Sequence, residues 1–302
     1  MGNRRFQVTP IDYATGLAEL RAVRETVFVQ EQQVPLEEEW DALDPLCRHV
    51  IARDQYGQPI GTGRLTPEHK IGRMAVLAEW RGHGVGDAML VALLEEARNQ
   101  GWPLVSLNAQ VSAEAFYARQ GFIPHGQRFH EAGIEHQAMR RALRGPTLVE
   151  NSAGAIAAVV AVITQARRAL RIYSREMDPG VLDNARVLDA LRRFATANRG
   201  GEVQILLQDA GTPQRAHAPL LNLAQRLPST FVFHEVNEPV DKAYAAAFVA
   251  NDISGYYFRT LGHRFDGEVD LDGAGRARQL RDEFARFWER GRPCSEFRAL
   301  GI

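Results

Sequence analysis

The 302-residue chain has two cysteines, Cys47 and Cys294, far apart in sequence. Nothing is available for a disulfide framework or a cysteine-held cluster, and two reduced thiols are expected. Lysine is equally scarce, with Lys70 and Lys242 the whole supply in an arginine-rich chain. The apolar stretch 153–163 is too short to span a bilayer and reads as a buried helix. The opening MGNRRFQVTP lacks the apolar core of a secretory signal, and Phe6 stands where N-myristoylation needs Ser or Thr. A cytoplasmic protein without membrane contact is the expectation. A basic excess is also missing. Net charge is −1, divided as −3 for residues 1–143 and +2 for the rest, so electrostatics gives no reason to expect nucleic acid.

What is present is the material of two globular domains: 45% apolar and 24% charged residues over a length that suggests two cores. Alternating and three-to-four-residue apolar spacings predict strands at 5–11, 48–54, 59–65, 70–77, 103–109 and 133–141, with another opening at Gly121-Phe122. They predict helices at 13–32, 87–100 and 112–120. Residues 33–47, acidic and broken by Pro35 and Pro45, read as loop, and the run Glu37-Glu38-Glu39 as a solvated one. Residues 144–152 read as a linker. Beyond it, helices at 153–168, 184–198, 217–227 and 275–290 alternate with strands at 169–174, 203–208, 230–235 and 254–259, with 244–250 less clear. Such alternation gives an α/β or α+β class in both halves.

One loop stands out. A strand leads into Arg81-Gly82-His83-Gly84-Val85-Gly86, which opens a helix. The first amides of a helix are unpaired and carry the positive end of its dipole, so they cradle phosphate. Glycine lets the backbone adopt positive φ and approach closely, and Arg81 can add a charge-assisted bond to a diphosphate. By itself this is a glycine-rich turn that need bind nothing. It is not a P-loop, because no Lys-Ser/Thr follows, nor the Gly-x-Gly-x-x-Gly dinucleotide fingerprint.

The neighbouring residues narrow the reading. The ordered set Arg73-Met74-Ala75-Val76, the loop 81–86, an amphipathic helix, Leu107-Asn108-Ala109-Gln110, Ala115-Phe116-Tyr117 and Gly121-Phe122 resembles the GNAT acetyltransferase superfamily over nearly all of residues 1–143. Val27–Gln32, Gly61-Thr62-Gly63-Arg64-Leu65 and Gly133–Met139 are similar to its ElaA/YjcF-like branch. The resemblance implies a mixed, splayed sheet in which Met74, Ala75 and Val76 hold the pantetheine arm and thioester of acetyl-CoA. It implies that Arg81, Gly82, His83, Gly84, Val85 and Gly86 hold the pyrophosphate, with Asn108 and Phe116 beside the cleft. Tyr117 becomes the candidate general acid toward the leaving thiolate, since a phenol with pKa of about 10 stays protonated at neutral pH. A core aromatic on an amphipathic helix is the alternative. Glu31, His49 and His136 are the candidate bases, each equally readable as structural. No metal is needed, although Glu31, Asp44 and His49 could be imagined as ligands. The acceptor is a primary amine, on a small molecule or a protein. A non-catalytic acyl-CoA sensor signalling through the second domain is the competing reading.

Residues 153–302 loosely resemble one half of a phospholipase D-like domain, in element order and apolar spacing alone. At the nearest match to its His-x-Lys-x-x-x-x-Asp motif, around Lys242, Val240 and Ala247 replace the histidine and aspartate, so the nucleophile is missing. His217, His234 and His263 form no metal-spacing pattern. The C-terminal helix, with Phe284, Phe287 and Trp288 on one side, reads as docking onto its own domain, or as a homodimer interface.

Overall fold

The computed structural model describes residues 5–197, 200–212 and 218–297. By mutual contacts the chain divides into two compact units, Met1–Asn108 with Arg128–Arg144, and Ala109–Gln127 with Gly145–Ile302. The sequence reading assigned residues 109–127 to the first domain; by contacts they cluster with the second.

The first unit opens with β1 (Phe6–Ile11) and α1 (Tyr13–Arg24). Asp12 caps α1 by accepting from the Thr15 amide at 3.1 Å, and Leu20 and Val23 turn inward. The single helix expected over 13–32 changes character at Glu25, where Glu25–Glu31 forms a π-helix. The Thr26 hydroxyl occupies the Ala22 carbonyl at 2.8 Å, in competition with an α-helical amide, and Gln32 bonds back to Val27. The expected loop 33–47 contains α2 (Leu36–Glu39) and a 3₁₀ turn, Asp44–Leu46. Then follow β2 (Arg48–Asp54), β3 (Pro59–Leu65), β4 (Lys70–Val76), α3 (Val85–Asn99) and β5 (Leu104–Gln110). β6 (Ile123–Pro124) falls in the second unit, while β7 (Phe129–Glu131) and β8 (Ile134–Ala142) return to the first. The sheet order is β1-β2-β3-β4-β5-β8, with β7 pairing onto β8. The predicted stripe of α3, from Met89 through Leu90, Leu93 and Leu94 to Ala97, is buried as expected.

In the second unit the supposed linker contains a strand: β9 (Thr147–Val149) pairs with β15 through Gly267↔Val149 and Val269↔Thr147. Three residues of Thr-Leu-Val are too short for periodicity to register. α5 (Ser152–Gln165) follows, capped by Asn151 accepting from Gly154. Its apolar residues face every direction because α4 (Glu114–Arg119), α6 (Ala185–Ala197), β6, β13 and β14 all pack on it. The sheet order is β16-β12-β11-β10-β13-β14-β15-β9. Its strands are β10 (Ala169–Ser174), β11 (Glu202–Leu207), β12 (Phe231–Glu235), β13 (Ala247–Asn251), β14 (Tyr256–Arg259), β15 (Gly267–Asp270) and β16 (Arg292–Pro293). β10, β11 and β12 run parallel, and the other pairs are antiparallel. Two short helices, α7 (Pro219–Arg226) and α8 (Pro239–Lys242), precede α9 (Ala274–Arg290). α9 docks on its own unit, with Leu280 and Phe284 packed among Tyr173, Leu206 and Phe248. His234 stacks on Trp288 with ring centres 3.8 Å apart. Lys242 ends α8 at the surface and Ala247 is buried in β13. His217 lies outside the described residues.

Candidate functional site

β4 and β5 run parallel in the first sheet, in register through Lys70↔Ser106 and Ile71↔Leu107. Beyond Ile71, β4 stays bonded to β3, through Arg64↔Gly72, Thr62↔Ala75 and Gly61↔Val76. The register shifts between Thr62 and Arg64, where Arg73 and Met74 of β4 face Gly63 alone, and Arg73 in that bulge takes φ +49°. A bulge bends its strand and sharpens the twist, and here it falls where β4 parts from β5. Gly63 lies beneath it, where a Cβ would meet the Met74 sulfur at 2.6 Å and displace that side chain. Met74, Ala75 and Val76 thus lie on a strand paired with β3 on one side only; on the other side the Val76 carbonyl is held by Arg81 Nε.

The chain then passes through Ala78–Trp80 into the glycine loop. Gly82 has φ +74° and Gly84 φ +83°, and a Cβ on either would meet nothing within 4 Å. Backbone conformation, not crowding, is what these glycines supply. Gly84 caps α3 without a side-chain bond, and Ala88 N to Gly84 O at 3.0 Å begins the helix ladder. The amides of Val85 and Gly86 sit in the turn before it, at the positive end of a 15-residue helix. His83 bonds the Arg81 carbonyl through Nδ1 at 2.9 Å.

The candidate side chains are differently placed. Arg81 and Glu31 form a two-pronged pair, both bonds 2.6 Å, and Arg81 Nε donates to the Val76 carbonyl at 2.9 Å. The guanidinium holds Glu31 below the usual carboxylate range, which weakens it as a base. His49 is buried, its Nε2 2.8 Å from the Asp44 carbonyl and its ring stacked on Tyr13. Burial lowers its pKa, and its packing is that of a structural histidine. His136 differs: half-buried on β8, it places Nδ1 2.8 Å from the Ile134 carbonyl. A ring donating from Nδ1 keeps a lone pair on Nε2. Asn108 gives Nδ2 to Glu131 at 3.2 Å, and Glu131 is the register partner of Ile134. Asn108, Glu131 and His136 therefore form one neighbourhood where β5, β7 and β8 meet. Phe116 and Tyr117 lie on α4, in the second unit, edge to face at 4.9 Å. Burial pushes the Tyr117 hydroxyl up to about 12.

A cluster the sequence reading missed lies in the acidic segment. Glu39, in the run expected to be solvated, is buried, and Asp44 is buried beside it. Arg24, itself buried, donates to Glu39 Oε1 at 2.5 Å, Asp44 Oδ1 at 2.9 Å and the Glu39 carbonyl at 2.7 Å. Arg64 bonds Asp44 and Asp41, and Arg73 reaches Glu39 at 3.3 Å. The network ties α1, α2 and β3 to the bulged residue of β4. A signal existed in Arg24 and Arg64, arginines at inward-facing positions that need a buried counter-charge.

Its two buried carboxylates titrate oppositely. Burial raises Glu39 despite Arg24 and Arg73. For Asp44, burial is the largest influence and opposes, but the bonds and charges of Arg24 and Arg64 together prevail and lower it. Asp44 thus contributes stability present above its unfolded value, 3.8, and lost as pH falls through the lower folded one. Glu39 contributes stability present below 4.5 and lost as pH rises through its folded value. Urea midpoints from pH 3 to 7 are expected to fall at the acid end in both wild type and Glu39→Gln. The decline above pH 4.5 that Glu39 imposes should disappear in the variant. Identical profiles above pH 4.5 would contradict this assignment. Cys47 and Cys294 are both buried and form no disulfide, and burial raises the Cys47 thiol to about 11.

A splayed β4–β5 pair followed by a glycine turn and helix is the architecture of an acyl-CoA N-acyltransferase. Residues 19–143 match the acetyltransferase (GNAT) domain family, and the chain belongs to that family. The uncharacterized N-acetyltransferase YjcF of Bacillus subtilis is 38% identical over 123 residues, 39% of this chain and 87% of its own length. The Bacillus subtilis protein YyaT is 32% identical over 41% of this chain and 88% of its own. Among solved structures, an acyl-CoA N-acyltransferase of Pseudomonas aeruginosa is 31% identical over 46% of this chain and all of its own, with TM-score 0.42. Residues 151–300 match a domain of unknown function, DUF7931. That match does not show the phospholipase D-like resemblance. Among the described residues no group of His, Cys, Asp and Glu could hold a metal ion, and no helix is long and apolar enough to cross a membrane.

Proposed function

We propose that the protein transfers the acetyl group of acetyl-CoA to a primary amine by direct attack in a ternary complex. The observation that carries this reading is the parting of β4 from β5 beside a helix opened by two positive-φ glycines. Pantetheine adds along Met74–Val76 as an extended strand would, and the pyrophosphate sits on the amides of Gly82–Gly86. The amine nitrogen attacks the thioester carbonyl, whose oxygen becomes an oxyanion stabilised by backbone N–H groups of β4. The nitrogen loses a proton to His136 Nε2; of the two histidine candidates His136 is the half-buried one, while His49 is buried. The C–S bond then breaks, and the sulfur takes the Tyr117 proton. Most of the acceleration comes from holding donor and amine together.

Tyr117→Phe should lower kcat roughly 100-fold, within the usual range for a general acid, while acetyl-CoA affinity stays the same. Because Tyr117 loses its proton only near pH 12, the wild-type rate should show no falling limb from this group below about pH 11. Thiol release followed against pH in both proteins checks this. An unchanged kcat removes Tyr117 from the role.

The second reading is an acyl-CoA-binding sensor. It draws support from Glu31 and His49, both engaged in structural contacts. A sensor binds acetyl-CoA but releases no CoA with any amine.

A further inference from the structure

Three helices of the second unit, α4, α5 and α6, border a half-open groove of about 380 Å³. Its walls are apolar and mostly small: Ala118 on α4, Ala157, Val160 and Ile163 on α5, and Phe194 on α6 are nearly inaccessible. The alanines hold the helices close, yet fill too little space to meet across the gap. Charge enters at Arg119, Arg186 and Arg193, with Asp189 the one acid in the lining. Arg193 pairs with Asp189, and Arg186 with Glu114 at 3.2 Å. Arg119 has no carboxylate partner among the described residues; it gives Nη1 to the Ala115 carbonyl at 3.3 Å and lies near the Phe116 ring. The groove therefore combines an apolar wall with one uncommitted guanidinium.

Size decides between occupants. One turn of a helix about 10 Å across and 5.4 Å in pitch fills roughly 400 Å³, so a partner helix would not seat even a full turn here. The volume lies within the range of small-ligand pockets, about 300–1,000 Å³, where an apolar lining and a few polar groups are the rule. We infer that this groove binds a single-chain aliphatic carboxylate, its tail along Ala157, Val160 and Phe194 and its head on Arg119. The guanidinium fork matches a carboxylate in two parallel bonds. Neither Phe116 nor Tyr117 lines the groove, although both share α4 with Ala118 and Arg119, and the inference does not depend on the acyl-transfer reading.

Calorimetric titration of the full chain with octanoate, decanoate and dodecanoate, all below their micelle concentrations, tests it. Affinity should rise roughly two- to fourfold per added methylene, as alkyl burial gives, until the groove is full. Decan-1-ol should bind about tenfold more weakly than decanoate, the worth of one charge-assisted contact. Arg119→Gln should erase that preference, and Ala157→Trp, which fills the groove, should abolish binding with the melting transition retained. If Ala157→Trp does not fold, the chain-length series and Arg119→Gln decide the matter. Affinity independent of chain length, equal binding of decan-1-ol and decanoate, or unchanged binding by folded Ala157→Trp would each overturn the assignment.

Discussion

Arg24→Met is expected to destabilise the first unit by about 3–5 kcal/mol, the range found when one partner of a buried ion network is removed. The guanidinium is 1% exposed and makes three bonds, to both buried carboxylates and to the Glu39 carbonyl. Methionine keeps much of the volume but leaves Glu39 and Asp44 close together with less counter-charge, in a place where water cannot replace the lost donors. Asp44 Oδ2 already has no partner among the described residues, so the site has little slack to rearrange. Three of the four tryptophans, Trp40, Trp80 and Trp102, lie in the first unit, and Arg24 stacks over Trp40 at 4.3 Å. Tryptophan fluorescence in urea therefore reports chiefly this unit. On heating, a loss of that size lowers its transition by roughly 10–20 °C. A change below about 1 kcal/mol would mean that the network contributes no more than a surface pair.

The second large effect is on ligand binding. Gly84→Val should weaken acetyl-CoA binding by about 100-fold or more while the fold survives. A β-branched residue at φ +83° is a strong outlier, and even an ordinary residue there costs about 1–2 kcal/mol. Nothing crowds a Cβ at this position, so the variant folds by relaxing the turn, and the amides of Val85 and Gly86 then lose their common direction. Gly57 is the matched control. It has φ +82°, equally open space, and a place in the β2–β3 turn. Gly57→Val should show a similar strain cost in melting and bind acetyl-CoA as the wild type does. Equal binding by all three proteins would separate the loop from the donor.

The cofactor side of the first unit was legible because its signals are local. Glycines at a strand–helix turn and the stripe Met89–Ala97 belong to contiguous segments whose periodicity is intrinsic. The features that sequence did not reveal depend on distant partners. The burial of Glu39 is decided by Arg24 and Arg73, from α1 and β4, and the acidic run alone gives the pattern of a solvated loop. The π-helix at Glu25–Glu31 lies inside an unbroken apolar rhythm, with Thr26 bonded to the Ala22 carbonyl and Gln32 to that of Val27. β9 is three residues long and exists because β15 pairs with it, and α4 clusters with the second unit because α5 packs on it. Glu31 could be picked out as a possible base, but its commitment to Arg81, fifty residues away, could not. For the second domain, strand and helix positions were readable, yet no side-chain constellation named a chemistry.

The most direct test of the central claim is one titration of the full chain with acetyl-CoA, followed by thiol release and amide formation with a panel of α-amines and lysine-type amines. The account predicts saturable binding and CoA released in step with acetylated amine, for at least one amine and not in its absence. Absence of binding would contradict the placement of the donor at Arg81–Gly86. Tight binding with no acetyl transfer across the panel would contradict the enzyme and favour the sensor.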